Sequence, residues 1–511
     1  MKKLCLILTI LYCLTMFGCG KPADSQETTG NTTNTTGVAD PTETTGAADS
    51  TGATDTKETT GETESTEAPK ATKPTKPADN SGNSGNSGSS AQTPKPTEHT
   101  CSFGSWTVKT KATCSAEGKE ERSCSVCNKK ESRPIAKTAH NLGDYKVCKT
   151  CSFIDFDPKA KIVELGIPTA KKYGVGNVAN YVWDVKVWNG RVFRGAGDYD
   201  KNSGTAPIYA YEIESQSWKN SGTVSDQAVH RFLEIGGKLI SPGIDPTDSW
   251  DLGNYYVLND SGKGWTKVRT LPNGVHNYDM VEFDGKLFAG LGTEDYDDTV
   301  AVSGDGGKSW SFVPLYKDGQ PFDTSDYKWT RTYDFATYNG QLYALIIFRL
   351  NFGQTSELFR YEDGKMVWVG KGTGLIGGSA TNRNYWIGEF ELGGSCFLTA
   401  GYLCEVTDFA DPNTWKNVKL PKNERAADAF LRDGVAYILA YNYNYTTKMY
   451  SVAIYKSETC KEGSFTEVVS FDYEVHPSSF DWDGTYFYLG MGGNTAKPEK
   501  SGMMLRVNPA A

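Results

Sequence analysis

From about Lys161 to the C-terminus, short apolar stretches and polar turns alternate at intervals of forty to fifty-five residues. Each interval begins with an apolar strand that runs into a two-residue turn. The turns are Asn189-Gly190, Gly236-Gly237, Asp284-Gly285, Asn339-Gly340, Gly393-Gly394, Asp433-Gly434 and Asp483-Gly484. Such dipeptides favour tight hairpins because both central residues can take positive φ. Before the first turn, Trp183, Val185 and Val187 alternate with Asp184 and Lys186, the period of a half-buried strand. After later turns, Lys286-Leu-Phe-Ala-Gly, Gln341-Leu-Tyr-Ala-Leu and Thr485-Tyr-Phe-Tyr-Leu read as second strands.

Each interval closes on a polar turn followed by an aromatic: Trp218, Trp265, Trp310, Trp368, Trp415 and Phe465. The unit is therefore four strands, with a hairpin after the first and a polar turn between the third and fourth. An all-β repeat of this length predicts a β-propeller, and seven turns predict seven blades over residues 160–511. A Kelch-type ring is the near alternative. The last unit lacks a fourth strand, which Ile162-Val-Glu-Leu165 can supply and so close the ring. Cys396 and Cys404 lie on adjacent stretches of one unit, as a disulfide or as core thiols, beside a third thiol at Cys460.

The clearest polar turn is Ser303-Gly-Asp305-Gly-Gly307-Lys-Ser-Trp310. Ser303 and Asp305 can bond backbone N–H groups within the turn, Gly307 can take positive φ, and Trp310 can pack between sheets. Asp260-Ser-Gly262-Lys-Gly-Trp265 is a partial copy. The stretch resembles the Asp-box of sialidase-like propellers. The resemblance implies the fold. Sialidase chemistry does not carry over with it: two arginines stand at ring positions where three are needed, no Arg-Ile-Pro stretch is present near the first blade, and no Tyr–Glu pair can be assigned.

Ahead of the repeats the pattern changes twice. Lys2-Lys3 precede an apolar run from Leu4 to Phe17, which ends in Met16-Phe17-Gly18-Cys19. This resembles a lipoprotein signal over residues 1–18, with Cys19 as the lipidated residue and Met16 where leucine is usual. A lipid on Cys19 implies an anchor on the extracellular face of a cell membrane. Residues 19–98 are dominated by Thr, Gly, Ser, Asn, Pro, Asp and Glu, with a recurring Glu-Thr-Thr-Gly. Such a composition cannot offset folding entropy and predicts a disordered stalk.

Residues 99–155 form a small cysteine module with Cys101, Cys114, Cys124, Cys127, Cys148 and Cys151 beside His99 and His140. It resembles a Cys-rich repeat of bacterial surface proteins, which implies a spacer or adaptor. Two C-x-x-C pairs at this spacing predict one structural zinc held by Cys124, Cys127, Cys148 and Cys151. Cys101 and Cys114 are then free or paired, and His99 and His140 are rival ligands. Disulfides are the other reading, with fifteen possible connectivities.

Charge then narrows the function. A net charge of -9 argues against nucleic acid as a partner. The three histidines outside the cysteine module recur at one place in their units, seven to nine residues before the turn glycine. The ring of residues at that place is Tyr181 and Trp183, His230, His276, Arg331 and Tyr333, Tyr385 and Trp386, Arg425, and His476. Trp183, His230, His276, Arg331, Tyr333, Trp386, Arg425 and His476 are the candidate ligand contacts at a channel mouth. Imidazole, guanidinium and aromatic faces suit a sugar or anionic ligand. Asp279, Asp334 and Glu424 nearby can accept from sugar hydroxyls or pair with the arginines. No residue is assigned as catalytic. The expectation is a monomeric, lipid-anchored surface protein that binds a glycan or a cell-surface protein. The alternative is a polysaccharide lyase or glycoside hydrolase, with the lyase closer to this set of His, Tyr and Arg.

Overall fold

The structure, a computed structural model, describes residues 99–143, 146–198, 203–293, 298–351, 353–371 and 388–511. Cys19, the signal segment, the stalk, Tyr385 and Trp386 lie outside the described residues. No helix among the described residues is long and apolar enough to cross a membrane.

The repeats fold into seven sheets among the described residues, antiparallel except for one parallel pair, Leu315–Lys317 beside Lys365–Lys371, besides a three-stranded sheet in the cysteine module. The first sheet runs Val185–Trp188, Arg191–Arg194, Ala206–Glu212 and Ser217–Val224 in sequence order. Its successors begin at Leu233, Gly274, Trp329, Glu389 and Arg425 and repeat that simple meander. The seventh holds Pro477–Trp482, Phe487–Met491 and Met504–Val507, and its fourth strand is Ile162–Gly166 from the start of the repeats. Leu505 pairs with Glu164 and Val507 with Ile162, as expected for a strand lent by the start of the repeats.

All seven dipeptide turns join a first strand to a second. In six of them both central residues have positive φ, for example Asn339 at 50° and Gly340 at 67°. Asp483-Gly484 differs: the Asp483 side chain instead accepts the N–H groups of Thr485 and Tyr486 at 2.7 Å.

Burial explains the order of the sheets. Seven apolar clusters fill the spaces between consecutive sheets, one of them reaching across the third, fourth and fifth. One joins the last sheet to the first, packing Leu165, Tyr488 and Met504 against Val185, Tyr211 and Trp218. The aromatic after each polar turn faces the preceding sheet. Trp218 donates to the Leu165 carbonyl at 2.7 Å, Trp265 meets Phe193, and Trp310 meets Tyr255. Sheets packed in sequence, the last completed by a strand from the start of the repeats, make a β-propeller-like fold.

The stretch Ser303–Trp310 bonds mainly to itself. Ser303 Oγ accepts from Gly307 N at 2.8 Å, and Asp305 Oδ1 accepts from the N–H groups of Lys308 and Ser309 at 3.0 Å. Gly307 has φ +86°, and Trp310 Nε1 donates to Thr270 Oγ1 at 3.0 Å. Cys396 and Cys404 form no disulfide. Cys396 lies across from Val406 and Cys404 across from Leu398, so the two thiols stand offset within one core. Burial pushes Cys404 and Cys460 up to about 12 and keeps both as thiols.

Candidate functional site: the mouth of the ring and the cysteine module

The first strands carry the site, and a bulge organises them. An extra residue interrupts the pairing at Tyr278, Tyr333 and Ala427, each seven residues before its turn glycine. A bulge re-aims neighbouring side chains. The residue after each bulge is an aspartate, Asp279, Asp334 or Asp428.

Buried carboxylates on the first strands tie one sheet to the next. Asp184 accepts from its own neighbour Val185 N at 2.8 Å and from Phe232 N of the next sheet at 2.6 Å. Asp279 does the same with Met280 N and Phe335 N, and Asp428 with Ala429 N and Phe480 N. Asp481 bonds Trp482 N and Val187 N, between the seventh sheet and the first. Arg231 pairs with Asp279 at 2.9 Å and with Asp334 at 2.6 Å. Burial raises the carboxyls of Asp184, Glu389 and Asp428, helped at Glu389 by Asp279 and at Asp428 by Asp184. Asp279 and Asp334 are thus structural and partner an arginine that the sequence reading passed over. Arg231 stands one residue inward of His230, the place Asp184, Asp279, Asp334 and Asp428 occupy in their own strands.

Above this layer the ring residues fall into two groups. In the first, rings from consecutive sheets touch: Trp183 with His230 at 6.4 Å, His230 with Tyr278 at 6.3 Å, and Tyr278 with Tyr333 at 4.2 Å. Arg331 donates to the Tyr278 hydroxyl at 3.0 Å and lies over the Trp329 ring. His276 lies tilted against Tyr278, ring centroids 5.3 Å apart, and is 2.7 Å from Asp245. Gly292 makes room for His276 and Arg331, since a Cβ there would stand 2.8 Å from His276 Cδ2 and 3.2 Å from Arg331 Cγ.

Much of this first group is enclosed. The strands Ile244–Pro246 and Asp226–Ala228 add to the inner edge of the third sheet, and Ile244 pairs with His276. His276 is consequently 9% exposed. Tyr333, expected as a ligand contact, is 4% exposed and packs in the core between the fourth and fifth sheets. Trp183 turns its N–H to the Gly197 carbonyl at 2.9 Å. Tyr278 sits at the offset that defines the ring and could have been found there by the same rule.

The second group is more open. Arg425 stands directly across from Tyr441 and interacts with its hydroxyl. His476, from the next sheet, stacks on Tyr441 at 6.0 Å and meets Tyr450 at 5.8 Å. The strands Val435–Asn444 and Met449–Ser457 run on past the start of the first strand at Arg425, so their hairpin stands above the sheet. It carries Tyr443 in ring contact with both Tyr445 and Tyr450. Tyr445 is 78% exposed, and Tyr402, under Arg425, is 43% exposed. The alternation Tyr441-Asn-Tyr443-Asn-Tyr445 was the available signal. Glu424 accepts from Tyr455 and from Lys422 N, away from these rings.

The cysteine module differs from its expected wiring. Cys124, Cys127, Cys148 and Cys151 do not converge on one point. Cys124 and Cys127 gather with His99 and Cys101, and Cys148 and Cys151 gather with Cys114 and His140. Within each group every ligand atom lies within 4.8 Å of the others, so each group could hold a metal ion. The single four-thiolate site fails because the two C-x-x-C turns belong to different ends of the module. The first follows the strand Gly118–Ser123, while the second lies against the first sheet, where Ile154 N donates to Gln216 O at 2.8 Å.

No protein-family model matches the chain, and no curated protein does. Solved structures resemble it at low identity. One is a complex titled YCF48 bound to D1 peptide, with TM-score 0.39, 11% identity, 70% of this chain and 99% of that chain. Another is the RRP9 WD40 repeats, with TM-score 0.38, 9% identity, 64% of this chain and 94% of that one. A third is the computationally designed Ika8 protein, with TM-score 0.37, 8% identity, 64% of this chain and 96% of the other.

Proposed function

We propose that the chain is a lipid-anchored protein of the extracellular membrane face, attached through Cys19. In this reading the stalk carries a closed seven-bladed propeller that binds a glycan at its mouth without catalysis, as a monomer. The carrying observation is the meeting of Arg425 and His476, from neighbouring sheets, on the one ring of Tyr441 beside the hairpin of Tyr443, Tyr445 and Tyr450. Half-exposed tyrosine faces give flat apolar area with polar edges, and the guanidinium supplies paired donors for a carboxylate or hydroxyls. An acidic glycan meets both requirements.

The test is a glycan array with the soluble chain beginning at His99, alongside Arg425→Ala and Tyr443→Ala. Binding should fall at least tenfold in both variants, about 1.4 kcal/mol or more. Undiminished binding in both would place the ligand elsewhere. Capture of a surface protein in place of any glycan would select the protein-ligand form of the reading.

A second reading rests on His276. Its contact with Asp245 at 2.7 Å, beside Tyr278 and Arg331, is the arrangement of a positioned base with a neutralising arginine. The lyase form of that reading requires unsaturated products from uronate polysaccharides, seen as new absorbance in the same incubations.

A further inference from the structure

The cysteine module holds eight metal-ligand side chains that divide into two equivalent sets. In the first, Cys101 Sγ is 3.8 Å from Cys127 Sγ, and His99 Nε2 is 3.7 Å from both Cys101 Sγ and Cys124 Sγ. In the second, Cys114 Sγ is 3.8 Å from Cys148 Sγ, and His140 Nδ1 is 3.4 Å from Cys151 Sγ. A disulfide needs about 2.05 Å between sulfurs, so these are not bonded pairs. They are the edges of a tetrahedron. With metal–sulfur bonds of about 2.3 Å and metal–nitrogen bonds of about 2.0–2.1 Å, tetrahedral geometry gives S···S near ~3.8 Å and S···N near ~3.5 Å.

The turns that present the thiolates are duplicates. Asn128 N donates to Cys124 O at 3.0 Å, and Ser152 N donates to Cys148 O at 2.9 Å. Cys124 N donates to Lys129 O, and Cys148 N donates to Phe153 O. The residue after each second cysteine has positive φ, Asn128 at 59° and Ser152 at 60°. Two unrelated loops arriving at one knuckle geometry, each met by one more cysteine and one histidine, point to one ligand chemistry used twice.

We infer that the module carries two zinc ions, one held by His99, Cys101, Cys124 and Cys127 and the other by Cys114, His140, Cys148 and Cys151. Each ion takes three thiolates and one neutral imidazole, and the thiol protons leave to solvent on binding. The donors are closed sets of four, as in structural sites, with no place for a reacting water. The two sites are interlocked in sequence, since Cys114 of the second lies between the ligands of the first.

Their neighbours give them separate tasks. The first binds the three-stranded sheet together: Phe103 bridges to Cys124, and Arg122 lies over both Phe103 and Trp106. The second fixes the module to the repeats. His140 stacks on Phe153 at 4.1 Å, Phe153 bridges to Ser217 of the first sheet, and Val147 and Ile154 pack into the cluster between the first and seventh sheets. The distal site thus stabilises the module, and the proximal site sets its seating. This inference does not depend on the glycan reading.

The test uses the reduced full chain, loaded with Zn2+ or Co2+ after chelation. Metal analysis should give two ions per chain, and Co2+ should show the visible bands of tetrahedral thiolate coordination. Cys127→Ser and Cys151→Ser should each lower the count to one, and the double variant to none. In Cys151→Ser, hydrogen exchange should rise at 147–154 and at Ser217, and in Cys127→Ser it should rise only in the distal strands. A count of zero would overturn the inference. So would a single ion lost in either variant, which would restore one shared site. Should the serine variants fail to accumulate, a Co2+ titration of the unaltered chain decides, saturating at two equivalents or refuting the pair.

Discussion

Asp428 carries a carboxyl buried between the sixth and seventh sheets, pushed up to about 7 by burial and by the neighbouring charge of Asp184. It still accepts from Ala429 N at 2.8 Å and from Phe480 N at 3.0 Å, bonds that hold the sixth sheet to the seventh. In the unfolded chain an aspartate titrates near about 3.9. The folded state therefore binds the extra proton. The associated stability is complete below about pH 4 and is lost as pH rises through about 7, on the order of 2–4 kcal/mol. Asp428→Asn keeps an acceptor and removes the titration. Its melting temperature should fall less than the parent's between pH 4 and 8, and an unchanged pH slope would show that Asp428 does not titrate there. Arg231 sits in the same layer, where its two ion pairs offset part of the negative charge. This layer was legible in principle, because an Asp or Arg recurs six residues before the turn glycine in five units. It reads there as a polar position lining a channel, because a sequence does not say which main-chain N–H a carboxylate meets.

The polar turn at Ser303–Trp310 shows how much one element can state about itself. Every bond expected within it comes from residues four or fewer apart, so local chemistry was sufficient. One constraint is not local. A Cβ on Gly307 would stand 2.1 Å from Tyr255 Oη of the preceding sheet, and the residue's φ is +86°. Gly307→Ala should cost about 2–3 kcal/mol by urea unfolding, combining backbone strain with a forced shift of Tyr255. Gly304→Ala, with nothing within 4 Å of its Cβ, is the matched control and should be near neutral. Equal effects at both positions would mean that the turn tolerates any backbone. The cysteine module teaches the converse. Its two C-x-x-C motifs were read as one site from spacing alone, yet each recruits its remaining ligands from elsewhere in the module. Spacing sets which thiols share a turn, and the path of the chain between turns sets which turns share an ion.

For the whole molecule, the decisive contact lies between the start and the end of the repeats. Ile162–Gly166 completes the seventh sheet, and Trp218 of the first sheet donates to Leu165 O. Arg194, fully buried, binds Thr169 Oγ1 at 2.5 Å and Gly502 O at 3.0 Å, joining the first sheet to the segments that flank the seventh. Deleting residues 162–166 should expose the edge of Met504–Val507 and uncouple the last sheet from the first. Size-exclusion chromatography should then show self-association, and urea unfolding should lose its single cooperative step. A monomer with unchanged unfolding would mean that the fold does not depend on this closure. The sequence by itself determined the repeat, the turns, the aromatic after each polar turn and the lent strand, because these follow from periodicity and from residues near one another in the chain. Only the tertiary structure decided that His276 and Tyr333 are enclosed, that Arg425 and His476 share Tyr441, and that the thiols form two groups. Those outcomes depend on which strands meet at the mouth and which loops cover it, and contact between residues far apart in sequence leaves no local pattern to read.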